Sequence, residues 1–238
     1  MNTRYASEHP SGCEICELKK EGLFCNLSAA AAKEFAAIRY SSDYPAGSAL
    51  FHEHGDSRGI YILCSGQVKL SVSSSAGKTL IVRMAKPGDM LGLTSTMSGR
   101  PYEASAETLH PCRIAFIRRG DFLRFLMTNP EAYRAIVGQM TSQYTSVCEQ
   151  LRTIALAASA QEKVARLLLH WSSDGRKTED GTEFKVPLTH EQIAECVGST
   201  RETITRTLGD FKQKRLVSIK GATMMIPNRA ALEAVGSV

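Results

Sequence analysis

The chain has 238 residues, of which 43% are hydrophobic and 22% are charged, and its formal net charge is only +5. A chain of this length and composition can bury one large or two modest cores, which excludes a disulfide-stabilised miniprotein and a disordered tail. The sequence lacks a continuous apolar run of about 18 residues, and its first residues follow neither a secretory signal nor a transit pattern. We therefore expect a cytoplasmic protein without a membrane partner.

The first predicted elements are a short helix and a set of strands. Residues 27–40 predict a helix with Ser28 as its N-cap, because alanine favours helix interiors and serine favours the N-cap position. Four later stretches are short, rich in β-branched and aromatic residues, and separated by Gly, Pro, Asp and Ser: residues 59–66, 67–73, 78–89 and 112–117. This pattern predicts an antiparallel sandwich or roll.

From about residue 130 the hydrophobic period changes to that of one long helix. Apolar side chains recur at alternating intervals of three and four residues, at Val137, Met140, Tyr144, Val147, Leu151 and Ile154. A seam of this kind over roughly 25 residues is typical of a two-stranded coiled coil, so it predicts a homodimer. The alternative is a long helix that packs only within its own chain.

The last third of the chain predicts two short helices joined by a tight turn. A further helix is expected from about residue 161, followed by a polar, turn-rich loop at residues 172–184. Thr189–Gln192 and Ser199–Glu202 both have the Ser/Thr-x-x-Glu/Gln form of a capping box, which marks two helix starts. Gly198 would make the turn, and apolar residues would fill the inner faces: Ile193, Ala194, Val197, Ile204, Leu208 and Phe211. This is the pattern of a helix-turn-helix, whose second helix can enter a DNA major groove.

The second helix of this motif carries the residues expected to contact DNA. Residues 201–220 contain six Lys/Arg and two Asp/Glu, a local excess of +4. Side chains suited to base edges lie on its solvent face: Arg201, Glu202, Thr205 and Arg206. The basic residues farther along are expected at phosphates: Lys212, Lys214 and Arg215. Residues 216–220 and 223–226 predict a β-hairpin wing. A solvated helix face would account for the charge alone but not for the capped helices, the glycine turn and the wing together.

The stretch LTHEQIAECVGSTRETITRTLGDFKQKRLVSIKG, residues 188–221, resembles the C-terminal winged helix-turn-helix of the CRP/FNR family of bacterial transcription regulators. Upstream, Gly66–Leu70 and Lys86–Asp89 look like turn motifs of that family's β-roll sensor domain, and the seam falls where its dimer helix lies. The resemblance implies an α+β fold with four parts. These are a cysteine-rich, cluster-binding segment at 1–28, an antiparallel, cyclic-nucleotide-binding-like β-roll at 29–129, a dimerisation helix at 130–158 and a winged helix-turn-helix domain at 159–238.

The same resemblance implies a regulator that binds a palindromic promoter site in double-stranded DNA as a homodimer, with RNA polymerase as a further partner. Base reading would fall on Arg201, Glu202 and Arg206, and Thr205 stands where the FNR branch typically has serine. The alternative class is a metal-dependent enzyme. No activated nucleophile, carboxylate dyad or Gly-rich phosphate loop occurs in a fitting context, so we expect a protein that is not an enzyme.

The family members that bind cyclic AMP carry a Gly-Glu for the ribose and an Arg-Ser for the cyclic phosphate. In this sequence the corresponding pairs are Gly92-Leu93 and Ala104-Ser105. Leucine cannot accept hydrogen bonds from ribose hydroxyls, and alanine offers no charge to a phosphate. We therefore expect no cyclic nucleotide as the ligand.

The seven cysteines divide into two groups. In FNR-type oxygen sensors an N-terminal cysteine group and one β-roll cysteine hold a 4Fe-4S cluster, and the similar arrangement here implies four ligands, Cys13, Cys16, Cys25 and Cys112. The interval between Cys16 and Cys25 is longer than in the best-known branch. Zinc and a metal-free thiol switch are the alternatives. Cys64, Cys148 and Cys196 are interpreted as packing residues.

Overall fold

The computed structural model describes residues 27–186 and 188–236. Two compact units divide the chain: the first extends to Val72 and resumes at Val82–Ser146, and the second combines Ser73–Ile81 with residues from Val147 onward. Cys13, Cys16 and Cys25, with most of the expected 1–28 segment, lie outside the described residues.

Most of the first unit is a pair of antiparallel sheets with helices around them. The elements up to residue 155, of which the start of β5 and the end of α4 belong to the second unit, are α1 (Ala29–Ala37), β1 (Tyr40–Tyr44), β2 (Ala49–Phe51), β3 (Gly59–Ser65), β4 (Val68–Ser73), β5 (Thr79–Ala85), β6 (Met90–Leu91), α2 (Leu93–Ser98), β7 (Ser105–Thr108), β8 (Cys112–Arg118), α3 (Arg119–Thr128) and α4 (Ala132–Ala155). One sheet has the order β1-β8-β3-β6 and the other β2-β7-β4-β5. The chain crosses repeatedly between the sheets, so an antiparallel roll is confirmed.

Two apolar clusters hold this unit together. The first joins α1, α3 and the start of α4 to the backs of β3 and β8 through residues that include Phe35, Ile60, Phe122 and Ile136. The second fills the space between the two sheets and includes Leu63, Leu91, Ala104 and Cys112. The Ser28 hydroxyl accepts a hydrogen bond from the Ala31 amide, which confirms the expected N-cap of α1.

The second unit contains three helices, a small sheet and a final helix after the end of α4. Its elements are α5 (Ala160–Trp171), β9 (Arg176–Thr178), β10 (Gly181–Lys185), α6 (His190–Val197), α7 (Arg201–Gln213), β11 (Ser218–Lys220), β12 (Thr223–Ile226) and α8 (Arg229–Gly236). The sheet order is β11-β12-β10-β9, so the expected wing is present as β11 and β12.

Residues 172–184 are not the simple loop that the sequence predicts. They contain the β9–β10 hairpin, and β10 pairs in antiparallel register with the wing strand, Thr182 opposite Ile226 and Phe184 opposite Met224. The prediction was wrong because a polar composition does not exclude a strand, and β10 is stabilised by a partner about 40 residues later in the chain.

The caps of the helix-turn-helix follow the prediction at one helix and depart from it at the other. At α6 both hydrogen bonds of the Thr189–Gln192 capping box are present. At α7 the N-cap is Thr200 rather than Ser199, and the Thr200 hydroxyl accepts from the Thr203 amide at 3.3 Å. The expected Ser199–Glu202 box is therefore wrong, because Glu202 lies one residue too early for the third helical position.

Candidate nucleic-acid interface and its supports

The helix-turn-helix is built on a shared apolar core. On α6 the side chains of Ile193, Ala194 and Val197 are at most 2% exposed, and on α7 those of Ile204, Leu208 and Phe211 are at most 3% exposed. Between the helices Gly198 adopts a left-handed backbone with φ of 63°, which glycine reaches without steric cost. This packing fixes which face of α7 remains in solvent.

The solvent face of α7 presents the four residues predicted to read bases. Arg201, Glu202, Thr205 and Arg206 are all exposed, within the first two turns of one helix. Arginine can donate two hydrogen bonds to guanine, and a carboxylate can accept one from the cytosine amino group. A single rigid helix thus carries donors and acceptors on a surface that can enter a major groove.

A second set of basic residues surrounds the end of α7: Lys212, Lys214 and Arg215, all exposed. The Leu216 amide donates to the Phe211 carbonyl and the Arg215 amide to the Lys212 carbonyl, the two hydrogen bonds of a Schellman motif. Arg215 occupies the left-handed position of that motif with φ of 56°, where glycine is usual. An arginine therefore stands at a backbone position that costs folding energy.

Sequence reasoning missed one contact on the reading face. His190, the first residue of α6, places its Nδ1 2.8 Å from the Thr205 hydroxyl, and that hydroxyl donates to the Arg201 carbonyl at 3.0 Å. The two residues are 15 positions apart in sequence. The signal that could have found the pair is the helix-turn-helix geometry, which brings the start of α6 towards α7.

The predicted dimer seam forms one exposed stripe along α4. Five of its residues are between 37% and 72% exposed, namely Val137, Met140, Tyr144, Val147 and Leu151, and Ile154 is half-buried. Tyr133, 42% exposed and four residues before Val137, extends the same stripe towards the start of the helix. The predicted seam did not include Tyr133.

A different face of α4 carries glutamines that contact the body of the chain. In the first unit, Gln139 is buried and donates to the Asp89 carboxylate at 3.3 Å, and Gln143 donates to the Met90 carbonyl at 2.8 Å. In the second unit, the Gln150 amide donates to the carbonyls of Ile81 and Cys196. Because these contacts use a separate face, they leave the apolar stripe exposed.

The positions that the family resemblance aligns with a cyclic AMP site are apolar in the first unit. Leu93 and Ala104 are 1% and 4% exposed and belong to its two cores. In the same unit Arg83 is half-buried, and its guanidinium lies 3.5 Å from the Asp89 carboxylate. Burial lowers the pKa of Arg83, while Asp89 and Glu103 act in the opposite direction. Its charge is thus countered from within the protein.

Cys112 is the expected metal ligand that the described residues include. Its thiol is buried at the start of β8 and donates towards the carbonyls of Gln67 and His110, at 3.3 and 3.1 Å. Burial raises the pKa of this thiol. Cys196 is also buried, and Cys64 and Cys148 are half-buried. Within residues 27–186 and 188–236, groups of three or more His, Cys, Asp or Glu side chains suited to a metal ion are absent.

Comparison with known proteins matches both units. Residues 42–129 match the cyclic nucleotide-binding domain, and residues 162–235 match the Crp-like helix-turn-helix domain. The global nitrogen regulator of Nostoc sp. is 30% identical over 164 residues, covering 67% of this chain and 73% of the relative. The transcriptional activatory protein AadR of Rhodopseudomonas palustris is 28% identical, covering 91% of each chain.

A solved structure of a CooA mutant from Carboxydothermus hydrogenoformans superposes with a TM-score of 0.75 over 98% of this chain and 99% of that one, at 17% identity, which shows a shared fold. A cyclic nucleotide-binding-like β-roll and a Crp-like helix-turn-helix in one chain together define a DNA-binding transcription regulator. The chain belongs to the CRP/FNR family. Its relatives are regulators rather than enzymes. In the part of the chain that the structure describes, no helix is long and apolar enough to cross a bilayer.

Proposed function

We propose that the protein binds a palindromic promoter site as a homodimer and places one α7 helix in each of two successive major grooves. The observation that carries this proposal is the combination of an exposed reading face on α7 with an exposed apolar stripe on α4. Pairing the two stripes would bury several large side chains and supply the second reading helix. Two half-sites one helical turn apart, about 34 Å, then contribute to a single binding event.

In this proposal the residues of the interface divide their tasks. Arg201, Glu202, Thr205 and Arg206 read base edges, and Lys212, Lys214 and Arg215 contact phosphates. Phosphate contacts contribute affinity that falls as salt rises, whereas base contacts discriminate sequence. RNA polymerase is the further partner through which a bound regulator changes transcription.

Selection from a randomised duplex library tests the DNA-binding proposal. Wild-type protein should enrich an inverted repeat, and Arg201→Ala should lose enrichment at one symmetric base pair while it still binds the library. As a matched control, Arg176→Ala removes an exposed arginine from β9 rather than from α7, and should leave the selected sequence unchanged. Enrichment of no sequence by wild-type protein would contradict the proposal.

We further propose that Cys13, Cys16, Cys25 and Cys112 hold a 4Fe-4S cluster whose oxidation controls DNA binding. The spacing of the cysteines and the family resemblance support this ligand set. Cys112 is 3% exposed, and a Cβ added at Gly66 would lie 2.5 Å from its sulfur, so the turn between β3 and β4 packs closely against that atom. A bound cluster supplies a redox centre and stabilises the thiolate form of its ligands.

Ligation would tie residues 13–25 to the start of β8 and favour the chain arrangement in which two α4 helices pair. Loss of ligation would shift the population towards single chains, and specific DNA binding would fall with it. The Leu93 and Ala104 positions argue against control by a cyclic nucleotide, because they offer no partner to a ribose or a phosphate.

Iron and acid-labile sulfide, measured on protein purified without oxygen, test the cluster. We expect about four of each per chain, lost on exposure to air, with Cys112→Ser abolishing both and the matched control Cys148→Ser retaining both. Stoichiometric zinc without sulfide would support a zinc site instead. Metal-free protein with reversible thiol oxidation would support a thiol switch, and either result would overturn the cluster.

A further inference from the structure

The hydrogen bonds around Thr205 determine where the hydroxyl hydrogen points and which nitrogen of His190 carries a hydrogen. A threonine hydroxyl has one hydrogen to donate and two lone pairs that accept. The Thr205 hydroxyl lies 3.0 Å from the Arg201 carbonyl, and because a carbonyl can only accept, the hydroxyl hydrogen is used there. The His190 Nδ1 atom, 2.8 Å from the same oxygen, must then be the donor.

This arrangement leaves Thr205 without a free donor. One of its lone pairs accepts from His190, and the remaining lone pair and the methyl group are available to a ligand. His190 also lines a small groove with Ile193, Leu208 and Met224. Threonine in a helix divides between two rotamers, and the one seen here lets the same hydroxyl bond both the Arg201 carbonyl and His190.

We propose that His190 is a positioning residue: by donating to the Thr205 hydroxyl it keeps the hydroxyl hydrogen on the Arg201 carbonyl, so that the remaining lone pair sets base preference at one position of the DNA site. The inference rests on the proposed base-reading role of Thr205. In the major groove an A·T pair presents the adenine amino group, which donates, and the thymine methyl group, which packs against a methyl. Guanine presents only acceptors to this hydroxyl, and cytosine presents an amino donor but no methyl group. An A·T pair, which offers both a donor and a methyl group, is therefore preferred opposite Thr205.

Two amide substitutions separate this role from a contact between His190 and the DNA backbone. Asparagine places its amide near the position of Nδ1, whereas glutamine reaches the position of Nε2. If His190 acts through Thr205, His190→Asn keeps the preference for A·T, and His190→Gln and His190→Ala lose it. If the histidine instead contacts a phosphate through Nε2, His190→Gln keeps affinity, and the other two variants weaken binding to every sequence alike.

Fluorescence anisotropy on a selected duplex and its single-base-pair variants measures these profiles. We expect His190→Ala to reduce the preference at one base pair by about fivefold, the value of one hydrogen bond, with the other positions unchanged. Thr205→Val, which keeps the shape of the side chain without the hydroxyl, should show the same loss. The double variant should lose no more than Thr205→Val alone.

The outcomes distinguish this inference from the function on which it rests. Selection of no sequence by wild-type protein overturns the proposed function and this inference together. A selective wild-type protein whose profile is unchanged in all three His190 variants overturns the inference alone. Losses in His190→Ala and Thr205→Val that simply add in the double variant also overturn it.

Discussion

Leu151 offers a quantitative test of pairing through α4. In the single chain 57% of this residue is exposed, and it lies within the apolar stripe. Complete burial of a leucine side chain contributes about 1.5 to 3 kcal/mol, so covering the exposed part contributes about 1 to 2 kcal/mol per chain. A symmetric dimer covers two copies, and alanine keeps part of the contact. Leu151→Ala should therefore weaken association by about 2 to 3 kcal/mol, a rise in Kd of about 30- to 150-fold.

Sedimentation equilibrium on protein purified without oxygen measures this Kd. The matched control is Leu156→Ala, because Leu156 is 69% exposed but follows the end of α4 and lies outside the stripe. Far-UV circular dichroism should show the same helix content for both variants and the wild type. Equal weakening by the two substitutions, or weakening by neither, would refute pairing through this stripe.

Four further predictions concern the reading helix and the β-roll. Arg206→Ala should cost about 1 to 3 kcal/mol on the preferred duplex and relax one base position, whereas Lys212→Ala should weaken all duplexes alike; equal losses on specific and random DNA for both would contradict the assignment. Arg215→Gly should stabilise the fold by about 1 kcal/mol in urea unfolding, because glycine adopts the left-handed backbone without the steric cost that arginine has. The same substitution should reduce the number of counterions released on DNA binding by about one. Gly66→Ala should destabilise the fold by about 2 to 4 kcal/mol, because the added Cβ would lie 2.5 Å from the Cys112 sulfur and because φ at this position is 91°. A stability within about 0.5 kcal/mol of wild type, the usual effect of a surface substitution, would refute this. Burial raises the pKa of Cys112, so the contribution of the protonated thiol to folding stability is complete below about pH 8.5, the ordinary pKa of a thiol, and is lost as pH rises towards the pKa in the folded protein. In metal-free, reduced protein, stability should therefore fall more steeply above that pH for wild type than for Cys112→Ala, and parallel curves would contradict this.

Local sequence patterns predicted most of the elements that position the reading face. The Thr189 capping box, the left-handed Gly198 and the buried faces of α6 and α7 all depend on residues within a few positions of one another. The exposed stripe of α4 follows from a heptad period for the same reason. Short-range physics is sufficient for these features because each helix begins, ends and buries one face according to its own sequence.

Contacts between distant residues were harder to predict. The strand β10 depends on a partner in β12, and the bond between His190 and Thr205 depends on how α6 packs against α7. Neither pair leaves a periodic signal in the sequence. Thr200 is the N-cap of α7 although Ser199 is equally suitable in type, and its hydroxyl accepts from the Thr203 amide.

Footprinting on a selected duplex tests the central claim most directly, that two copies of the chain read DNA through paired α7 helices. With wild-type protein, the account predicts two protected major-groove segments related by a two-fold axis, with centres about 10 to 10.5 base pairs apart, and two chains per duplex. A single protected segment, or one chain per duplex at saturation, would contradict it.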